Sequence, residues 1–215
     1  MSLVVNEIFY SLQGESSHAG RPCVFVRLTG CNLRCSYCDT KYAYEEGKEM
    51  GINEIVDRLS VYPCRLVEVT GGEPLIQEGT PALVQALLER NFEVLLETNG
   101  SRNIDFVDPR CVRIVDIKCP SSGEERKNDF ENLTRRTLQD EIKFVIRDRS
   151  DYDYAVGVLS RYEKAHSGCR PPLFSPVFGR MDPAVLARWI LSDGLPVRMQ
   201  LQLHKVIWAP DRRGV

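Results

Sequence analysis

Residues 23–40 read CVFVRLTGCNLRCSYCDT. Cys23 to Leu28 is an apolar, β-branched run of strand character, and it leads with two residues' pause into Cys31, Cys35 and Cys38. The spacing is C-x3-C-x2-C, and no fourth cysteine lies close by. Three thiolates can ligate three irons of a [4Fe-4S] cubane and leave the fourth iron open to an exchangeable ligand. A strand that ends in such a loop fits an open parallel sheet or barrel, where ligands collect beyond the carboxyl ends of the strands. The alternatives are a zinc site short of one ligand, or cysteines of the core. Tyr37, just before Cys38, is placed to lay its ring against a flat ligand.

Working outward, short apolar runs alternate with helical patterns. Further strands are expected at Arg65–Thr70, Phe92–Thr98, Val112–Lys118, Glu141–Ile146 and Val197–Leu203. Several carry apolar residues on both faces, as buried parallel strands do. Ile52, Ile55, Val56 and Leu59 recur at helical spacing, as do Leu83, Val84, Leu87 and Leu88. Thr80-Pro81 and Asp182-Pro183 each read as an N-cap followed by proline at the first helical position. A further helix is expected from Asp151 to Ala165. This alternation predicts an α/β fold with a parallel sheet. The 215 residues fall short of the roughly 250 of a complete eight-fold barrel, so a partial, open barrel of the TIM type is expected, as one domain over residues 1–215. Ser121 to Asn128 reads as an exposed polar loop.

Composition narrows the function classes. A hydrophobic fraction of 43%, a charged fraction of 27% and a net charge of −2 describe an ordinary globular chain with no basic field for nucleic acid or anionic membrane. No apolar run approaches a membrane span, and the N-terminal residues lack the pattern of a signal peptide. The eight cysteines therefore suit a reducing cytoplasm better than a disulfide scaffold. Cys23, Cys64, Cys111, Cys119 and Cys169 are expected to be thiols in or near the core.

The second strand ends in Thr70-Gly71-Gly72-Glu73-Pro74. Paired glycines admit close backbone approach, and a carboxylate beside them can accept hydrogen bonds from an ammonium group. C-x3-C-x-aromatic-C followed by GGEP resembles the radical S-adenosylmethionine superfamily. Further matches at Ser11–Glu15, Phe25–Cys31, Cys38–Thr40, Glu97–Gly100, Asp116–Ser121 and Leu203–Val215 are similar to its 7-carboxy-7-deazaguanine synthase family. These pieces span nearly the whole chain in order.

The resemblance implies a radical S-adenosylmethionine domain and a Mg²⁺-dependent ring contraction. In that reaction 6-carboxy-5,6,7,8-tetrahydropterin becomes 7-carboxy-7-deazaguanine with release of ammonia, on the route to queuosine in tRNA. It implies Cys31, Cys35 and Cys38 as iron ligands and Thr40 as the Mg²⁺ ligand. It implies Tyr37, Cys38, Asp39, Gly71, Gly72 and Glu73 at S-adenosylmethionine, with Glu73 and the glycine backbone on the methionine amino group. Part of Lys118, Cys119, Pro120 and Ser121 is assigned to the cofactor's ribose or carboxylate. Leu12, Gln13, Gly14, Glu15, Arg27, Thr70, Asn99, His204 and Val215 are expected around the substrate. Arg27 offers a planar fork for the substrate carboxylate, and Gln13 and Glu15 suit the donor and acceptor edge of a pterin. His204 is expected to end the last long strand, and the Val215 terminal carboxylate to reach the pocket. His18 and His166 receive no role. The family further implies a homodimer reduced by flavodoxin or ferredoxin.

Two other readings compete. A glycyl-radical-activating enzyme shares the cysteine spacing, but some such enzymes carry additional cluster cysteines, and no second cysteine cluster exists here. An electron-transfer iron–sulfur protein normally closes its cluster with four protein ligands and has no need of GGEP.

Overall fold

The computed structural model describes residues 1–162 and 168–215. One nine-stranded sheet carries the fold, in the order β3-β1-β2-β4-β5-β6-β7-β8-β9. From β2 onward all pairings are parallel: β2 (Pro22–Leu28), β4 (Leu66–Gly71), β5 (Glu93–Thr98), β6 (Val112–Ile117), β7 (Glu141–Ile146), β8 (Leu173–Pro176) and β9 (Arg198–Met199). β1 (Ser2–Leu12) runs antiparallel between β2 and β3 (Lys48–Gly51). The end strands β3 and β9 do not pair with each other, so the barrel is open, as the chain length predicts.

The period-two alternation of the strands builds two layers. Val67 and Val69 on β4 and Val94 and Leu96 on β5 pack toward α1 (Ile52–Leu59) and α2 (Thr80–Glu89). On the opposite face the first inward positions are apolar: Cys23, Phe25, Leu66, Leu95, Val112 and Ile114 form one cluster. Two residues further along the same strands that face turns polar, with Arg27, Glu68, Glu97 and Asp116. The apolar cluster is therefore a plug, and the polar row above it faces the carboxyl ends of the strands. A second core lies between β6–β8, α3 (Asn132–Arg135), α4 (Arg149–Arg161) and α5 (Pro183–Asp193), where Tyr152, Phe144 and Phe174 are fully buried.

Several expectations change. The run Val197–Leu203 pairs only at Arg198 and Met199, because its partner β8 is four residues long and ends in Pro176. Gln200 N still bonds Phe174 O, and then Leu203 N bonds Gly14 O, which turns the chain into the short helix α6 (Leu203–Ile207). His204 therefore sits on a helix. Thr80 does not cap α2: Gly79 precedes the helix and the Thr80 hydroxyl donates to Pro74 O at 2.6 Å. Asp182 does cap α5, accepting from Ala184 N at 2.9 Å. The helix expected at Asp151–Ala165 starts two residues earlier, because Asp148 caps it, and ends at Arg161; its last expected residues, and His166, lie outside the described residues. β1, β3 and β8 were not among the expected strands. β1 and β3 form an antiparallel flank outside the strand–helix alternation, and β8 is a run of only four residues within it, between α4 and α5.

Candidate active site

A cavity of about 630 Å³ opens at the carboxyl ends of the parallel strands. Ligand pockets of this size and place are the rule in open α/β sheets and barrels. Cys31, Cys35 and Cys38 line one wall, all half-buried. The loop that carries them is held from three directions. Arg34 Nη1 donates to Cys31 O at 2.8 Å and Leu33 O at 2.7 Å. Arg34 N donates to Glu124 Oε1 at 2.6 Å, and Ser36 N to Ser122 O at 3.0 Å. Asn32 Nδ2 reaches Ser101 Oγ at 2.8 Å. Residues 121–128 are thus tied to the cysteine loop through Ser122, which is buried, and Glu124, while Gly123, Arg126 and Lys127 are exposed as their composition suggests.

The thiols suit a cluster. Burial pushes the Cys31 thiol up and Cys35 to about 11, so as free thiols they stay protonated. Coordination to iron replaces those protons with metal charge.

Opposite the cysteines, Gly71 and Gly72 line the same cavity. A Cβ on Gly72 would stand 2.7 Å from Cys31 Cβ, so only glycine lets β4 approach the cysteine loop. Glu73 follows, but its side chain is fully buried and turned away from the cavity. It accepts from Leu75 N at 2.9 Å, Thr98 Oγ1 at 2.9 Å and Asn99 N at 2.6 Å. Burial raises its carboxyl, and these three bonds oppose the rise. Its carboxylate therefore ties the loop after β4 to the loop after β5. Asn99 in turn aims Nδ2 at Cys31 Sγ, 3.8 Å away.

The cavity floor is the polar row of the sheet, centred on Lys143. Its Nζ lies 2.9 Å from Glu15 Oε2, is paired with Glu97 Oε1, and stands 3.9 Å from Asp116 Oδ2. Burial opposes the lysine charge, but these carboxylates outweigh it and hold the ammonium well above its usual range. For Glu15, burial is outweighed by Lys143 and by the Gln202 amide at 2.9 Å, so its carboxyl lies below the usual range. Glu97 is raised by burial, which Lys143 only partly offsets. Glu68 is raised furthest, by burial and by the neighbouring Glu97 and Glu15 charges, and it accepts from Gln13 Nε2. Gln13 Oε1 accepts from Glu15 N at 2.8 Å, so the Gln13 amide holds the floor together at both ends. Lys118 Nζ bonds Asp116 Oδ2 at 2.8 Å, whose charge outweighs burial and raises the lysine. Asp116 Oδ1 and the Tyr37 hydroxyl are buried without a hydrogen-bond partner among the described residues.

The remaining wall brings together distant parts of the chain. Arg27 Nε donates to Glu7 Oε1 at 2.8 Å, and the guanidinium lies 5.8 Å from the rings of Phe9 and Tyr42. Asp39 accepts from Thr40 Oγ1 at 2.9 Å and pairs with Lys205; burial opposes its charge, but Lys205 outweighs it and holds the carboxyl at about 2. A hydroxyl beside a carboxylate is a sparse donor set, which suits Mg²⁺, a cation that keeps several waters and substrate oxygens. His204 packs on Gly14, where a Cβ would collide with Nδ1, and burial lowers its pKa. The tail folds back over the opening: Arg213 lies 3.8 Å from the Tyr42 ring and 3.0 Å from Glu46, and Val215 lines the cavity.

Leu12, Gly14, Thr70, Asn99 and Lys118 also line it. Cys119, Pro120 and Ser121 do not. The Cys119 thiol is in the core, and Ser121 binds Asp151 at the start of α4. Sequence reasoning assigned no role to Lys143, Glu68, Glu97 or Asp116. The available signal was the charges set among the apolar residues of these strands, since a buried charge in a parallel strand needs partners.

The pattern shared with known proteins is broad. Residues 25–161 match the model of the radical SAM superfamily. A curated 7-carboxy-7-deazaguanine synthase from Chlorobaculum tepidum is 51% identical over 216 residues, covering 99% of this chain and 97% of that protein. A relative of the same name from Koribacter versatilis is 44% identical over 225 residues, covering 98% of this chain and 99% of that one. The crystal structure of QueE from Escherichia coli superposes with a TM-score of 0.80 at 23% identity, over 95% of each chain, a likeness of fold.

Proposed function

This chain belongs to the 7-carboxy-7-deazaguanine synthase family of radical S-adenosylmethionine enzymes, and we propose that the two walls of its cavity divide that reaction between cofactor and substrate. The reaction takes 6-carboxy-5,6,7,8-tetrahydropterin to 7-carboxy-7-deazaguanine and ammonia. When bound, a reduced [4Fe-4S] cluster and S-adenosylmethionine supply the 5′-deoxyadenosyl radical that abstracts a substrate hydrogen. Everything else falls to the polypeptide.

Cys31, Cys35 and Cys38 hold the cluster, and the exposed backbone of Gly71 and Gly72 with Tyr37, Asp39 and Lys118 holds S-adenosylmethionine. Glu73 acts by fixing the loops after β4 and β5, since its carboxylate is spent on Leu75, Thr98 and Asn99. Arg27 engages Glu7 through Nε, which leaves its Nη fork for the substrate carboxylate. Thr40 offers its hydroxyl oxygen to Mg²⁺. Leu12, Gly14, Glu15, Thr70, Asn99, His204 and Val215 close around the pterin ring, with Gln13 bracing Glu15 from beneath. The floor keeps its charges paired around Lys143, so it presents fixed dipoles and excludes water from a reactive intermediate.

The observation that carries this reading is the meeting of the three cysteines, the glycine pair and the Lys143-centred carboxylates in one cavity. Its test is anaerobic reconstitution followed by reductant, S-adenosylmethionine, Mg²⁺ and carboxytetrahydropterin, with the deazaguanine product sought by mass. An intact cluster that yields no product would overturn it. The electron donor is a flavodoxin or ferredoxin, a reading that rests on the need for a low-potential single electron. A homodimer is supported by the exposed apolar side chains of Leu201, Val206, Ile207 and Trp208 around α6, and sedimentation would report a monomer if that is wrong. A cytoplasmic location is supported by thiols at Cys31, Cys35 and Cys38 that oxidation would close.

A further inference from the structure

The loop that follows β1 is held, residue by residue, by the last segment of the chain. Leu203 N donates to Gly14 O at 2.9 Å, and Gln202 Nε2 to Glu15 Oε1 at 2.9 Å. Gln200 grips the loop at two further points with a single amide. Its Oε1 accepts from Ser16 N at 2.7 Å, and its Nε2 donates to Glu15 Oε2 at 3.3 Å. Ser16 is buried and has φ 63°, a left-handed conformation that a serine keeps only where its surroundings fix it. Its N–H lies outside any strand, so the Gln200 oxygen is the acceptor that a ladder would otherwise supply. Gln200 is itself buried, with its own N bonded to Phe174 O at 3.0 Å, and it stands behind the residues that line the cavity.

We propose that Gln200 is a positioning residue for this reaction: its amide locks the turn at Ser16 and aims the Glu15 carboxylate at the hydrogen-bond donor edge of the pterin. The inference rests on the functional reading above. An ionised carboxylate offers about four lone-pair sites. At Glu15 Oε2 both are taken, by Lys143 Nζ at 2.9 Å and by Gln200 Nε2. At Oε1 the Gln202 amide takes one. One acceptor site on Oε1 is left for a ligand, on a side chain that lines the cavity. A pterin carries the matching group, the exocyclic 2-amino group beside a ring N–H. A carboxylate accepts from such a donor in a charge-assisted bond when its plane is held in place. Lys143 is a point charge and fixes no plane, whereas the two glutamine amides hold one oxygen each. Of these three partners Gln200 also bonds the backbone, so it ties the carboxylate to the turn beside it.

The test is steady-state kinetics of the anaerobically reconstituted enzyme with carboxytetrahydropterin, and with its 2-deamino analogue as a competitive inhibitor that lacks the exocyclic donor. In the parent the Ki of the analogue should exceed the substrate KM roughly tenfold, the effect of one charge-assisted hydrogen bond. Gln200→Met keeps the volume and removes both bonds. It should raise KM roughly tenfold with kcat within about twofold, because the lost contact is made equally in the ground and transition states. The ratio of Ki to KM should then fall toward unity. Gln200→Glu keeps the acceptor for Ser16 N and loses the donor to Glu15. Its KM should be raised at about pH 8 and return toward the parent's as pH falls, because the new carboxyl, once protonated, donates again. Iron content, melting temperature and S-adenosylmethionine cleavage without substrate report on the fold and the cofactor wall. A parental KM in folded, iron-loaded Gln200→Met overturns the inference. So does a raised KM that keeps the discrimination against the analogue, the mark of a purely structural role, and so does a parent that does not discriminate. If Gln200→Met does not fold, Gln200→Glu decides, and a KM that follows the parent's at every pH overturns the inference. A parent that makes no deazaguanine overturns the functional reading, and this inference with it.

Discussion

Replacing Lys143 by Met should damage the fold at neutral pH and spare it in acid. Lys143 is buried, holds Glu15 at 2.9 Å and Glu97 directly, and stands 3.9 Å from Asp116. Methionine matches its volume, so no large cavity opens and the loss is electrostatic. Removing one partner of a buried ionic network leaves the others unpaired, at a cost of about 3–5 kcal/mol. For a chain of this size that corresponds to a Tm roughly 6–20 °C lower at pH 7.5. The pH dependence follows from linkage. In the parent the Glu15 carboxyl is depressed, so its contribution is present above the unfolded pKa and is lost as pH falls through the folded value. Without the lysine, burial raises Glu15 as it already raises Glu97 and Glu68, so the variant is penalised increasingly as pH climbs through those raised values. The gap between parent and variant should therefore narrow from pH 7.5 to pH 5. Thermal melts across that range measure it. A variant within 2–3 °C of the parent, about 1 kcal/mol, at pH 7.5 would refute the reasoning. So would a gap that widens in acid.

Other substitutions test the walls of the site. Cys35→Ala should abolish the cluster's visible absorbance and reductive cleavage of S-adenosylmethionine, and retained cleavage would mean the ligand set is wrong. Thr40→Ala should raise the Mg²⁺ concentration needed for half-maximal turnover, and an unchanged Mg²⁺ titration would remove it as a ligand. Gly14→Ala places a Cβ on Nδ1 of His204; displacing that ring should raise KM for the pterin roughly tenfold or more with the melting temperature nearly unchanged, and a parental KM would show that His204 does not contact substrate. Deleting residues 210–215 should raise KM while leaving cluster content and S-adenosylmethionine cleavage intact, because the tail covers the opening away from the cysteines and is largely exposed; unchanged substrate affinity would show that the tail plays no part in the pocket.

The features legible in the chain are those whose chemistry is contiguous. The cysteine loop, the Gly71-Gly72 turn and the segment from Glu97 to Gly100 each hold their spacing within a few residues, and each lies at or just past the carboxyl end of a strand, so parallel pairing alone delivers them to one edge. The same local logic gives the open α/β sheet and the Asp182 cap. What local pattern does not carry is the meaning of Glu68, Glu97, Asp116 and Lys143. Each is a charge set among the apolar residues of its strand, and only the register of four neighbouring strands turns them into a paired floor. Tertiary contact also decides the end of the chain. Val197–Leu203 has strand-like composition, but a ladder needs a partner, and β8 stops at Pro176; the Gly14 carbonyl then captures Leu203, and a helix presents His204 to the cavity. The loop 121–128 follows the same rule. Ser122 and Glu124 read as solvent-facing until the backbone of Arg34 and Ser36 supplies the donors that tie them to the cysteine loop. Short-range spacing writes the ligands into the sequence, whereas hydrogen-bond pairing between distant segments sets which side chains face them.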